Sequence, residues 1–132
     1  MNKYPLKFLS FLSLLLFLQV SSIAQIGKID TSFNTFSAFN GPIQSVVIQT
    51  DGKILVGGYI SLYYNRPVYN VLRLNSDGTV DNSFRTDVGT NSSINSIAVQ
   101  PDNHILIAGA FTYYDGQAFN RIMRLFLQDL LI

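Results

Sequence analysis

Gln49-Thr50-Asp51-Gly52-Lys53-Ile54-Leu55-Val56-Gly57-Gly58 is the stretch on which the fold turns. It reads as strand end, tight turn and strand. Asp51-Gly52 offers the positive φ angles that a two-residue hairpin turn requires. Ile54, Leu55 and Val56 follow in succession, and a continuous apolar run predicts a strand covered on both faces. Gly57 and Gly58 sit inside that strand pattern, which points to a bulge or a close backbone approach.

Working outward, Gln44–Gln49 with Val46, Val47 and Ile48 reads as the strand before the turn, and Lys53–Ile60 as the strand after it. Tyr69–Asn75 is a third strand, closed by an Asp77-Gly78 turn and a short polar fourth strand, Thr79–Phe84. The pattern then recurs 51 positions on, Asp30 falling on Asp81, Phe33 on Phe84, Ile43 on Ile94, Ser45 on Ser96, Gln49 on Gln100 and Asp51 on Asp102. Further along, Ile54, Leu55, Gly58, Tyr63, Arg73 and Leu74 fall on Ile105, Leu106, Gly109, Tyr114, Arg124 and Leu125. Four short strands per period of about 50 residues is the pattern of a propeller blade, which cannot bury both faces of its sheet alone. The expected fold is therefore all-β: two four-stranded antiparallel propeller-like blades after a helical leader. An open β-sandwich or a short β-solenoid is the alternative.

Composition agrees with strands and turns. All eight acidic residues are Asp, and Thr, Ser, Asn, Gly, Ile and Val abound. The net charge is +1, but Lys3 and Lys7 lie in the leader, and the remainder is near −1. Such a balance gives no electrostatic footprint for nucleic acid. The absence of cysteine excludes disulfides, a thiol nucleophile and thiolate-bound metal.

The leader has the three parts of a secretory signal. A basic start with Lys3 and Lys7 precedes a run from Phe8 to Val20 rich in Leu and Phe, and Ser22-Ile23-Ala24 offers a small-residue cleavage site. The apolar run is short of the roughly 20 residues a bilayer crossing needs. Cleavage after Ala24 is expected, giving a secreted, periplasmic or cell-surface protein with no membrane segment after processing.

Ile29-Asp30-Thr31-Ser32-Phe33 and Val80-Asp81-Asn82-Ser83-Phe84, the central stretch Gln49–Gly58, and Arg73-Leu74-Asn75-Ser76-Asp77-Gly78-Thr79 together resemble the delta-60 repeat. The resemblance covers the chain after the leader to about Leu125 and implies a bacterial, tandemly repeated, propeller-forming module of exported proteins, with no known activity. Asn103-His104 departs from the Gly-Lys of the central turn, Ala108 from the first glycine, and Arg66-Pro67-Val68-Tyr69-Asn70 from the usual approach to strand three. The resulting division is a signal peptide over 1–24, a first repeat over 25–79, an incomplete second repeat over 80–125 and an atypical apolar tail over 126–132. The tail, Phe126 to Ile132, suggests a truncated member of the family.

Reactive side chains are few. His104, the sole histidine, has no second histidine or orienting acid in its motif, so it reads as an exposed turn residue. Asp30, Asp51, Asp81 and Asp102 recur with the repeat. Equivalent positions give equivalent environments, whereas a catalytic carboxylate pair needs different ones. Asn75, Asp77, Thr79 and Asp81 alternate like a calcium loop, but no Glu closes it. Neither a catalytic residue, a metal site nor a cofactor is therefore expected.

Asp51, Gly52, Asp77, Gly78, Asp102, Asn103, Asp115 and Gly116 read as turn residues. The tyrosine pairs Tyr63, Tyr64 and Tyr113, Tyr114 are the candidate ligand contacts, able to stack on sugar or peptide, although packing between blades explains them as well. The expected function is a non-catalytic exported binding or display module. Its partners are further blades, another copy of itself, or an extracellular glycan or protein. The rivals are a fragment of a polysaccharide-active enzyme and a non-functional truncated product.

Overall fold

A computed structural model of the chain describes residues 27–33 and 38–126. The chain divides into two units, Met1–Asp30 and Thr31–Ile132. Of the first, residues 27–30 are described, and they are exposed and irregular. The leader over 1–24 and the tail beyond Phe126 lie outside the described residues.

The second unit is all-β and antiparallel. Its first half holds β1 (Ile43–Ile48), β2 (Ile54–Gly58), β3 (Leu62–Tyr63), β4 (Arg66–Pro67) and β5 (Val71–Leu74). Its second half repeats them as β6 (Ile94–Val99), β7 (Ile105–Gly109), β8 (Tyr113–Tyr114), β9 (Gln117–Ala118) and β10 (Ile122–Leu125). Each half forms a three-stranded sheet, β1-β2-β5 and β6-β7-β10, with a two-stranded hairpin inserted before its last strand.

The segment expected as a fourth strand, Thr79–Phe84, contributes isolated bridge residues, Val80 opposite Leu74 among them, and no continuous strand. Its side chains explain why. The Thr79 amide donates to Asp77 Oδ1 (2.9 Å) and the Ser83 amide to Asp81 Oδ1 (3.0 Å). These local bonds compete with a strand ladder.

The turns also differ from expectation. Gly52 and Gly78 take positive φ (82° and 84°) while Asp51 and Asp77 do not. Gln49 N–H donates to the Lys53 carbonyl (2.8 Å), and Gly52 N–H to the Gln49 carbonyl (3.0 Å). That is a three-residue loop ending in a left-handed residue, not a two-residue turn. Asn103 (φ 65°) plays the glycine's part in the second half. The two-residue turns lie elsewhere: Tyr64-Asn65 (φ 46°, 60°) joins β3 to β4, and Asp115-Gly116 (φ 48°, 73°) joins β8 to β9.

Both sheets are bulged where the paired glycines were read. The β1–β2 register slips between Ile43 and Ser45 opposite Gly58 and Gly57, and β6–β7 slips identically between Ile94 and Ser96. A Cβ on Gly58 would run into the Pro42 carbonyl oxygen, and one on Gly109 into that of Ser93. Backbone approaches too closely at both places for any side chain.

The two sheets stack, with β6 lying over β1 and β2. Side chains alternate across each sheet, so each has two faces. Leu55, Val71 and Val47 of the first sheet pack against Ile94, Ile97, Val99, Ile105 and Ile107 of the second. The Ile97 amide donates to Ser45 Oγ across the junction (2.9 Å). Gly57 permits this approach: a Cβ there would lie 2.8 Å from Ile97 Cδ1 and 2.9 Å from Ile94 Cγ2. The opposite face of the first sheet, with Val56, Leu72 and Leu74, packs under Ala38, Ile60, Tyr63 and Val68.

Candidate functional site

The charged residues of the first half are committed to structure. Asp81 Oδ2 accepts from Arg73 Nε (2.7 Å) and Lys53 Nζ (2.8 Å), while its Oδ1 accepts from the Ser83 amide and hydroxyl (3.0 and 2.7 Å). Arg73 also donates to Gln49 Oε1 (3.5 Å) and Ser83 Oγ (3.3 Å), and its guanidinium stands over the Phe84 ring (5.1 Å). Burial pushes the Asp81 carboxyl up, but the bonds from Lys53, Ser83 and Arg73 outweigh that and hold it well below the usual carboxylate range. With every oxygen engaged, this cluster has no role left for a substrate.

The other sequence candidates go the same way. Asp51, Asp77 and Asp102 each accept the amide two residues on, from Lys53, Thr79 and His104. The four residues that alternate like a calcium loop turn toward these amides, toward Lys53 and toward one another: Asn75 Nδ2 donates to Thr79 Oγ1 (2.9 Å). His104 is half-buried, not the exposed turn residue expected. Its Nδ1 lies 2.8 Å from Asp102 Oδ2, and its ring meets Phe126 edge-on at 4.6 Å.

The four tyrosines are not brought together. Tyr63 is wholly buried against Phe39 and Tyr64, and its hydroxyl donates to the Gly78 carbonyl (2.5 Å). Burial, with Tyr64 and Asp77 nearby, raises its pKa to about 12. Tyr64, Tyr113 and Tyr114 line three separate hollows.

A different pair of tyrosines lines a cleft. It has a volume of about 530 Å³ and lies where the loop at Asn40–Pro42, the ends of β2 and β4, and Thr90-Asn91 meet. Tyr59 (63% exposed) and Tyr69 (48% exposed) supply its aromatic walls. The polar side chains around them hold the cleft's shape. Asn40 Oδ1 accepts from the amides of Ser61 and Leu62 (3.0 and 2.8 Å). Asn70 spans the floor, Oδ1 accepting from the Ile60 amide (3.1 Å) and Nδ2 donating to the Thr90 carbonyl (2.8 Å). Asn70 reaches both through a positive φ of 65°, a conformation Asn tolerates better than most side chains.

Sequence reasoning looked for residues that repeat, and these do not. Ala110 and Asn120 stand 51 positions after Tyr59 and Tyr69. Failure to repeat is the signal that finds them, because a residue needed by every blade recurs in every blade.

Two stretches, residues 49–84 and 100–128, match a family described as a domain of unknown function (DUF5122) beta-propeller. No curated protein and no solved structure matches the chain. The match supports a propeller-type repeat family, consistent with the all-β, antiparallel fold.

Proposed function

We propose that this propeller-type repeat chain is a non-catalytic exported module, of the delta-60 kind, that binds an extracellular glycan along the Tyr59–Tyr69 cleft. The observation that carries the reading is the pair of exposed rings on a cleft whose polar side chains are already tied into its frame. Apolar ring faces beside amide and hydroxyl groups suit a neutral sugar, which presents C–H faces and hydroxyls together. A near-neutral protein suits an uncharged ligand for the same reason. The carboxylates favour the non-catalytic reading, since those with described bonds are spent on turns and on Arg73, Lys53, Arg85 and His104. Export rests on the leader, with its basic start, apolar run and Ala24 cleavage site.

Titration calorimetry against a panel of neutral oligosaccharides tests the reading. Binding is expected for at least one, weakened about tenfold or more by Tyr59→Ala or Tyr69→Ala and unchanged by Tyr113→Ala. Binding that ignores both cleft tyrosines, or glycan turnover abolished by changing one Asp, contradicts it.

A further inference from the structure

The stacking of the two sheets is directional, and each partner has a copy of itself left uncovered. Ile94, Ile97 and Val99 of β6 are the residues that lie on the first sheet. Their equivalents on β1 are Ile43, Val46 and Ile48, which are 37%, 57% and 71% exposed. The surface they lie on carries Ser45, Val47, Leu55, Gly57 and Val71. Its equivalent on the second sheet is Ser96, Ala98, Leu106, Ala108 and Ile122, with Ser96 and Ala98 exposed and Ile122 62% exposed. The chain thus displays one half of its own internal junction at each end.

We propose that a second copy of this chain docks head to tail, its Ile43-Val46-Ile48 stripe seated on the Ala98-Leu106-Ile122 face of the first. The strand register supports this, because β1–β2 and β6–β7 pair identically, bulge included. In that register Ser96 and Val46 stand where Ser45 and Ile97 make their cross-junction bond.

The side-chain volumes compensate in part. Gly57 clears the Cδ1 of Ile97 within the chain. At the outer junction Ala108 replaces that glycine and Val46, which lacks a Cδ1, replaces the isoleucine. One methyl group is added and one of the two it would strike is removed, while Ile43 keeps the Cγ2 that Ile94 presents within the chain.

Polar groups point the same way. Asp81 and Ser83, from the start of the second repeat, complete the Arg73 cluster of the first. Arg124 is the exposed equivalent of Arg73, and Gln100 Oε1, equivalent to the Gln49 acceptor, is buried with no partner among the described residues. Asp30 and Ser32 stand in the first repeat where Asp81 and Ser83 stand in the second. Such an interface uses different surfaces on its two sides, so it extends to a ring or a filament rather than stopping at a dimer.

Sedimentation velocity on protein purified from cells expressing the full chain tests this. The parent protein should assemble beyond a monomer as concentration rises. Ile48→Asp and Ile122→Asp each spoil one exposed face and should each be monomeric. Mixed in equal amounts they should form a dimer and nothing larger, because each retains one sound face. Should either variant fail to fold by circular dichroism, Val46→Asp with Ala98→Asp makes the same comparison. A parent protein monomeric at all concentrations, a single variant that still assembles, or a mixture with no dimer overturns the proposal.

Discussion

Arg73 and Arg124 stand at equivalent places on the third strand of their repeats, yet their surroundings differ. Arg73 is 2% exposed and locked between Asp81, Gln49, Ser83 and Phe84. Arg124 is exposed, and its guanidinium rests over Phe126 (5.3 Å). Lys53, which reaches Asp81 in the first half, is replaced by His104, which turns to Asp102. Among the described residues the strands, the bulges and the loops before β2 and β7 are the same in both halves, so this part of a blade's backbone does not depend on the cluster. What the first half has in addition is Asp81-Asn82-Ser83-Phe84, donated by the chain that follows. A blade here is finished by the start of the next.

The largest expected effect is one the halves share. Gly58→Val and Gly109→Val should each abolish cooperative unfolding of the half concerned, since the added side chain meets the carbonyl oxygen of the residue just before the neighbouring strand. Native-like circular dichroism and urea melts for both would break the equivalence. The next effect separates the halves. Asp81→Asn strips a buried guanidinium of its anion and should cost about 3–5 kcal/mol. Asp102→Asn touches a solvent-screened carboxylate and should leave the urea midpoint nearly unchanged. Urea denaturation gives both numbers, and equal costs would remove the distinction.

Acid sharpens the same contrast. The pKa of Asp81 is lowered by folding, so its contribution is complete at neutral pH, above the ordinary value of about 3.9. It is lost as pH falls below that value toward the depressed one. The gap between parent and Asp81→Asn should therefore narrow below about pH 4; a gap unchanged down to pH 2 contradicts the ion cluster. The smallest effect is Asn103→Gly. It gives the second turn the glycine of the first at φ 65° and should add roughly 0.5 kcal/mol or less.

Much of the backbone was legible because its causes are local. The apolar run at Ile54–Val56, the aspartates that cap their own turns and the glycines at the bulges all act within a few residues of themselves. The hairpin β3–β4 escaped notice because Tyr64-Asn65 occupies a turn that usually advertises itself with glycine. The fourth strand was overcalled because Asp77 and Asp81 take amides that a ladder would have used. The Arg73 cluster joins residues 8 to 28 positions apart, and no local pattern announces such a meeting. Tyr63 looked like a ligand contact by its type, but the fold places it under the first sheet. Tyr59 and Tyr69 carry no repeat signal, and their common cleft needs loops from both halves.

The directional stacking of one sheet on the other underlies both the fold and the proposed assembly. Its most direct test is a nuclear Overhauser experiment on isotope-labelled protein, observing the Ile97 δ1 methyl. The account predicts a strong cross-peak to the α protons of Gly57 and another from the Ile97 amide to the β protons of Ser45. An Ile97 methyl with no contact to Gly57, and an amide that exchanges freely with solvent, would mean that the two sheets do not stack.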